Sequence, residues 1–167
     1  MIQVKFIQAI AFLVIGMFFL SFIFVETPTQ PSESTYGQFV DINGQPVELS
    51  QYFGKYLWVD YAAEWCSYCY PQTETLKEIA EQYASKVDFL TIVTGTDVVM
   101  QAPNVQAVRE WADKHNLDPR MVIGRFYTDR LPYNLLYSPE GAILYQSSGL
   151  LNANEIRNII LHHIGSS

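Results

Sequence analysis

Two cysteines, Cys66 and Cys69, are the residues of this 167-residue chain whose type and spacing point most clearly to chemistry. Two residues separate them, so a turn at this segment brings the two sulfur atoms within bonding distance. Such a pair can attack a partner's disulfide with one thiolate and resolve the mixed disulfide with the other thiol. We expect Cys66 to be the nucleophile and Cys69 the resolving thiol.

The cysteine pair lies between a predicted strand and a predicted helix. Lys55–Ala63 is a mostly apolar, aromatic-rich run, typical of a strand that is buried on both faces. Apolar residues recur at helical spacing over Leu76–Tyr83 and predict an amphipathic helix that begins near Pro71. A cysteine at a helix N-terminus faces unpaired N–H groups and the positive end of the helix dipole, which favour its thiolate.

The rest of the chain alternates strands with helices. Phe39–Ile42 and Val47–Leu49 flank Asn43-Gly44, which predicts an N-terminal hairpin with a two-residue turn. Pro103 is predicted to lie in the first turn of a helix that carries Val105, Val108, Trp111 and Ala112 on one face. Asn152 predicts the start of a last helix through a capping box. The further predicted strands are Val87–Thr94, Tyr133–Tyr137 and Ala142–Gln146. This order favours an α/β fold with a central mixed sheet flanked by helices.

The N-terminal part is predicted to be a membrane anchor. Phe6–Val25 contains no charged residue and, as a helix, would span about 30 Å, the thickness of the hydrocarbon core of a bilayer. Lys5 precedes it, so the rest of the chain is expected on the outer side. A cleaved signal peptide and a buried core helix are the alternatives. We therefore divide the chain into an anchor (1–25), a Pro/Ser/Thr-rich linker (26–35) and one domain (36–167).

The charge and the cysteine and histidine content of the chain limit the partners and ligands that it is expected to bind. The net charge of −7 repels phosphate backbones, so no nucleic acid partner is expected. A structural disulfide remains open, although so small a loop adds only roughly 2 kcal/mol of stability. A zinc site is disfavoured because the three histidines are distant in sequence and no second cysteine pair exists. Copper binding by the two thiolates, helped by His115, also remains open.

Gly54–Cys69 resembles the active-site segment of the thioredoxin superfamily. Phe39–Ser50, which leads into Tyr52–Lys55, is similar to the N-terminal hairpin of membrane-anchored TlpA/ResA-type thiol–disulfide oxidoreductases. The resemblance implies a thioredoxin-like fold, an exported dithiol–disulfide cycle and no cofactor other than the Cys66–Cys69 disulfide.

The same resemblance implies roles around the cysteines. Asp60 matches the buried acid that accepts the proton of the resolving thiol, and burial beneath the sulfurs would raise its pKa accordingly. Glu64, Ser67 and Tyr68 are predicted to tune the redox potential, and Ser67-Tyr68 departs from the pairs common in this family.

Substrate binding is predicted for Trp65, Leu131 and Pro132. Pro132 stands where the family carries a cis-proline that faces the cysteines, and Leu131 replaces the more usual Thr or Val before it. An extended substrate segment pairs with the backbone of that loop.

The leading hypothesis is a membrane-anchored reductase of disulfides in exported proteins, with cytochrome c maturation as a process the family often serves. Its electrons would come from a transmembrane donor, because an exported compartment lacks a reducing pool. Acidic Asp60 and Glu64, with no basic residue between Lys55 and Lys77, disfavour the thiolate and favour an electron donor. The alternatives are a copper-delivery module on the same fold, or a disulfide oxidase or isomerase.

Overall fold

The computed structural model describes residues 39–95, 105–125 and 130–165. These residues form one sheet of strand order β2-β1-β5-β4-β3-β6-β7 together with three α-helices. The strands are β1 (Phe39–Val40), β2 (Pro46–Val47), β3 (Tyr56–Ala62), β4 (Val87–Thr94), β5 (Val122–Arg125), β6 (Tyr133–Tyr137) and β7 (Ile143–Ser148). The helices are α1 (Cys69–Tyr83), α2 (Val105–His115) and α3 (Ala153–Ile164).

The sheet is mixed, with β3 near its centre. β3 runs parallel to β4 along its whole length, from Tyr56 opposite Val87 to Ala62 opposite Val93. β4 continues parallel to β5, whereas β6 is antiparallel to both β3 and β7. On the other side β1 is antiparallel to β5 and to β2. The apolar run that predicted a fully buried strand is thus an inner strand of the sheet, and six of its seven residues are buried.

Alternation along β3 assigns its side chains to two faces of the sheet. Trp58, Asp60 and Ala62 lie on the face that packs against the helices, where Trp58 contacts Leu76 and Ile79 of α1. Leu57, Val59 and Tyr61 lie in a second cluster on the opposite face. The side chain of Asp60 therefore lies on the helix-covered face of β3, between Trp58 and Ala62, and β3 ends shortly before the cysteines.

Three local features differ from the sequence predictions. α1 begins at Cys69, two residues before Pro71, near which it was expected to start. The loop between β1 and β2 spans residues 41–45 because the Asp41 carboxylate accepts the backbone N–H groups of Asn43 and Gln45. Strand β5 was not predicted, since it has only four residues and includes Gly124 and Arg125.

The predicted anchor (1–25) and linker (26–35) lie outside the described residues. Among the described residues, no helix is both long and apolar enough to cross a membrane.

Candidate active site

The two cysteines form a disulfide in the short segment between β3 and α1. The N–H of Cys66 donates to the carbonyl oxygen of Ala63 at 3.0 Å, and the N–H of Cys69 donates to that of Cys66 at 3.0 Å. This turn places the two Cα atoms 5.4 Å apart, with an S–S distance of 2.10 Å. Cys69 is the first residue of α1 and Cys66 lies one turn before it. The structure thus pairs the two residues that were predicted to react.

The two sulfur-bearing residues differ in exposure. Cys69 is fully buried, whereas Cys66 is 6% exposed and lies between two exposed aromatic residues, Trp65 at 48% and Tyr68 at 65%. The indole N–H of Trp65 donates to the carbonyl oxygen of Gly95 at 3.5 Å. Cys66 is therefore the member of the pair that borders the surface, and its predicted role as nucleophile is compatible with that position.

Asp60 is buried on the strand that leads to the cysteines. It is 1% exposed, and neither carboxylate oxygen has a hydrogen-bond partner in the described part of the chain. Burial without a partner raises the pKa of this carboxyl well above its ordinary value. The sulfur of Cys69 lies 4.0 Å from the carbonyl oxygen of Tyr61, the residue after Asp60. Asp60 is thus buried on β3 next to Tyr61, the residue whose carbonyl oxygen lies near the sulfur of Cys69.

Glu64 faces residues of α2 that sequence proximity did not reveal. Partial burial raises the pKa of Glu64, and a hydrogen bond to Glu110 and the charge of Glu110 raise it further. The charge of Lys114 lowers the pKa of Glu64. The Lys114 ammonium also lies 4.3 Å from the ring centre of Tyr70. A basic group therefore does approach the site, from 45 residues further along the chain than Cys69, although the carboxyl groups outnumber it.

The Leu131–Pro132 peptide bond is cis, as the resemblance predicted. Leu131 packs against the apolar cluster that contains both cysteines. The carbonyl oxygen of Pro132 accepts the N–H of Gly149 at 2.8 Å. Pro132 follows Leu131 directly in the chain, and Ser67 is exposed between the cysteines.

Two buried polar residues of α1 were missed from the sequence. Gln72 is fully buried and its side-chain oxygen accepts the N–H of Leu151 at 2.7 Å, which fixes the segment that contacts Pro132. Thr73 is 1% exposed, and its hydroxyl has no partner within the described residues. Their spacing of three and four residues after Cys69 places them on its helix face, which was the available signal.

In the part of the chain that the structure describes, no set of metal ligands surrounds the cysteine pair. Over residues 39–95, 105–125 and 130–165 there is no group of three or more His, Cys, Asp or Glu arranged to hold a metal ion. His115, the histidine considered for copper, is buried and places Nδ1 2.6 Å from a carboxylate oxygen of Glu74. The ring of Trp111 lies 4.5 Å from that of His115.

Comparison with known proteins agrees with this geometry. The sequence model of the redoxin family matches residues 31–151 of the chain. No curated protein matches it in sequence. Among solved structures, it is similar to a secreted Mycobacterium tuberculosis disulfide oxidoreductase described as homologous to E. coli DsbE, with TM-score 0.56, 16% identity, and coverage of 77% of this chain and 96% of that one.

Two further structures have the same fold. The exposed lipoprotein thioredoxin of Streptococcus pneumoniae gives TM-score 0.55 and 19% identity over 75% of this chain and 97% of that one. A thiol:disulfide interchange protein from Bacteroides sp. gives TM-score 0.59 and 16% identity over 78% and 87%. The predicted thioredoxin-like α/β fold with a mixed central sheet and flanking helices is confirmed.

Proposed function

Because the chain belongs to the redoxin family and carries a CxxC pair, it is a protein-disulfide oxidoreductase, and we propose that it works as a reductase of disulfides in exported proteins. The observation that carries the proposal is the unequal placement of the two cysteines. Cys66 borders the surface between Trp65 and Tyr68, and Cys69 is buried next to the strand that holds Asp60.

The proposed cycle depends on the different exposure of the two cysteines. In the reduced protein, the Cys66 thiolate attacks a substrate disulfide, forms a mixed disulfide and releases one substrate thiolate. Cys69 then gives its proton to Asp60, attacks Cys66, forms the Cys66–Cys69 disulfide and releases the second substrate thiolate. Two electrons pass from the dithiol to the substrate, and the two substrate thiolates take up protons.

The charges around the pair support the reducing direction. Strong oxidants stabilise the thiolate of the reduced form, which requires positive groups nearby. Here Glu64 and Glu110 face each other beside the site, and Lys114 is the basic group that opposes them. Net negative surroundings disfavour the thiolate, so the disulfide form is favoured and the dithiol donates electrons more readily.

The proposal extends to the location of the domain, its electron donor and its substrates. Residues 6–25 anchor the chain in the membrane, and the domain lies on the outer side, in the periplasm or an equivalent extracytoplasmic space. A transmembrane donor reduces the Cys66–Cys69 disulfide, because the compartment has no thiol pool. Exported proteins with disulfides or cysteine pairs are the substrates, and apocytochrome c before haem attachment is the substrate class we favour.

Insulin reduction with dithiothreitol as donor tests the activity. We expect the wild-type chain to reduce insulin, the Cys66→Ser variant to fall to the uncatalysed rate, and the Cys69→Ser variant to accumulate a mixed disulfide through Cys66. A reduction potential near that of thioredoxin, about −270 mV, supports the reductase, whereas about −120 mV indicates an oxidase. Stoichiometric Cu(I) binding without disulfide turnover would favour the metal-delivery alternative.

A further inference from the structure

A cavity of about 650 Å³ lies on the helix-covered face of the sheet and contains Asp60 in its lining. It is bordered by α1, β3, β4 and the segment 116–121. Exposed residues at its rim, such as Glu81 and Asn116, connect it to solvent away from the exposed aromatic residues beside Cys66. The titratable and charged groups around it, besides Asp60, are Tyr52, Lys77, Glu81, Asp88, Asp118 and Arg120.

Two buried polar side chains line this cavity without a protein partner. Asp60 contributes its carboxylate and Thr73 its hydroxyl, and each residue is 1% exposed. Thr73 follows Cys69 by four residues and precedes Lys77 by four, so the three lie along one stripe of α1. That stripe runs from the resolving cysteine to a charged residue of the cavity lining.

Buried polar groups in folded proteins are nearly always hydrogen-bonded to protein or to ordered water. A cavity this large, with a carboxyl and a hydroxyl in its wall, has the room and the partners to hold several water molecules. A hydroxyl both donates and accepts hydrogen bonds, so it can join a carboxyl group to a water chain.

We propose that this cavity is the route by which protons pass between Asp60 and bulk solvent, with the Thr73 hydroxyl as the positioning group of its water chain. The proposal deepens the proposed function, because it rests on Asp60 as the base for Cys69. When Cys69 attacks the mixed disulfide, its proton goes to Asp60. Asp60 then releases that proton through the cavity, and the reverse path reloads it when a donor reduces the disulfide.

A separate route has a physical reason. The cysteines pack in an apolar cluster with Ala62, Ala63 and Trp111, so apolar groups surround the disulfide within the described part of the chain. In the mixed disulfide, the substrate covers the surface around Cys66. An opening beside α1 stays accessible while the substrate is bound, so proton transfer does not wait for product release.

The test isolates the resolution step. Reduced protein is mixed with oxidised glutathione, quenched in acid at intervals, and the Cys66–glutathione mixed disulfide is measured by mass spectrometry. Thr73→Val keeps the shape of the side chain and removes the hydroxyl, so we expect resolution to slow by roughly 10-fold. Thr73→Ser restores a hydroxyl, so it is expected to resolve at close to the wild-type rate. High concentrations of imidazole buffer are expected to rescue Thr73→Val.

Two further variants separate proton transfer from structure. Ala80→Leu narrows the cavity away from the cysteines and is expected to slow resolution, whereas Ala142→Leu in an exposed turn outside it is not. In an Asp60→Asn background, Thr73→Val is expected to add no further slowing.

The inference is overturned if Thr73→Val resolves at the wild-type rate, if Thr73→Ser is equally slow, or if the slowing persists in full without Asp60. A wild-type chain that never forms the mixed disulfide would instead overturn the proposed function.

Discussion

Asp60 makes the stability of the oxidised protein depend on pH. Its folded pKa is raised by burial, so the folded form keeps a proton that the unfolded form releases above about pH 4. Stability is therefore full below that pH and falls as the pH rises towards the folded pKa. Each pKa unit of the shift corresponds to about 1.4 kcal/mol. We expect Asp60→Asn to flatten this fall in thermal unfolding of the disulfide form, and to exceed wild type in stability at pH 8.

The matched control is Asp113→Asn, which changes an exposed carboxyl group on α2. Its stability curve is expected to parallel that of wild type. Equal pH dependence in wild type and Asp60→Asn would mean that the pKa of Asp60 is not raised in the folded protein, contrary to the effect expected of its burial.

Gln72 holds the segment that contacts the cis-proline. Its side-chain oxygen accepts the Leu151 N–H at 2.7 Å in a buried position, and Gln72→Leu leaves that donor unpaired. We expect a loss of about 1–3 kcal/mol in denaturant unfolding and faster hydrogen exchange of the Leu151 amide. Gln82→Leu on the exposed side of the same helix serves as control, and we expect it to cost less than about 0.5 kcal/mol. Equal losses in both variants would contradict a specific tether.

At the scale of elements, prediction succeeded where a pattern was long and local. β3 was evident from its apolar run, and α3 from the capping box of Asn152 with Glu155, which the structure confirms. β5 was missed because four residues containing Gly124 and Arg125 carry little periodicity and gain their stability from pairing with β4. The start of α1 was predicted near Pro71 because proline is common in the first turn of a helix.

The capping box gives α3 a testable contribution to stability. Asn152 accepts the N–H groups of Asn154 and Glu155, and the Glu155 carboxylate accepts the N–H of Asn152 in return. Asn152→Ala removes the side-chain oxygen that accepts the Asn154 and Glu155 N–H groups. We expect it to lower the free energy of unfolding by about 1 kcal/mol, measured by chemical denaturation. Asn158→Ala, in the exposed middle of the same helix, is expected to be neutral or slightly stabilising because alanine is the better helix former. A neutral Asn152→Ala would show that the cap is not maintained in solution.

At the scale of the whole molecule, long-range packing brings the candidate site together. Cys66 and Cys69 are close in sequence, so their pairing was predictable from one strand–helix unit. Glu110 and Lys114 reach Glu64 only because α2 packs beside the cysteine segment. Such partners leave no local sequence signal. Gln72 and Thr73 offered only their helical spacing from Cys69, because by type they resemble polar surface residues of an amphipathic helix.

The anchor proposed for residues 6–25 decides where this redox chemistry takes place. We expect an uncharged run of that length, preceded by Lys5, to insert with its N-terminus in the cytoplasm and to leave the cysteines outside. We therefore expect the full chain to resist alkaline extraction from membranes. After mild reduction, Cys66 should react in intact cells with a membrane-impermeant maleimide, as read by a mass shift that the Cys66→Ser variant loses in part. Deletion of residues 6–25 should confine labelling to lysed cells. Labelling of the full chain only after lysis would place the domain on the cytoplasmic side, where a thiol pool makes a transmembrane donor unnecessary.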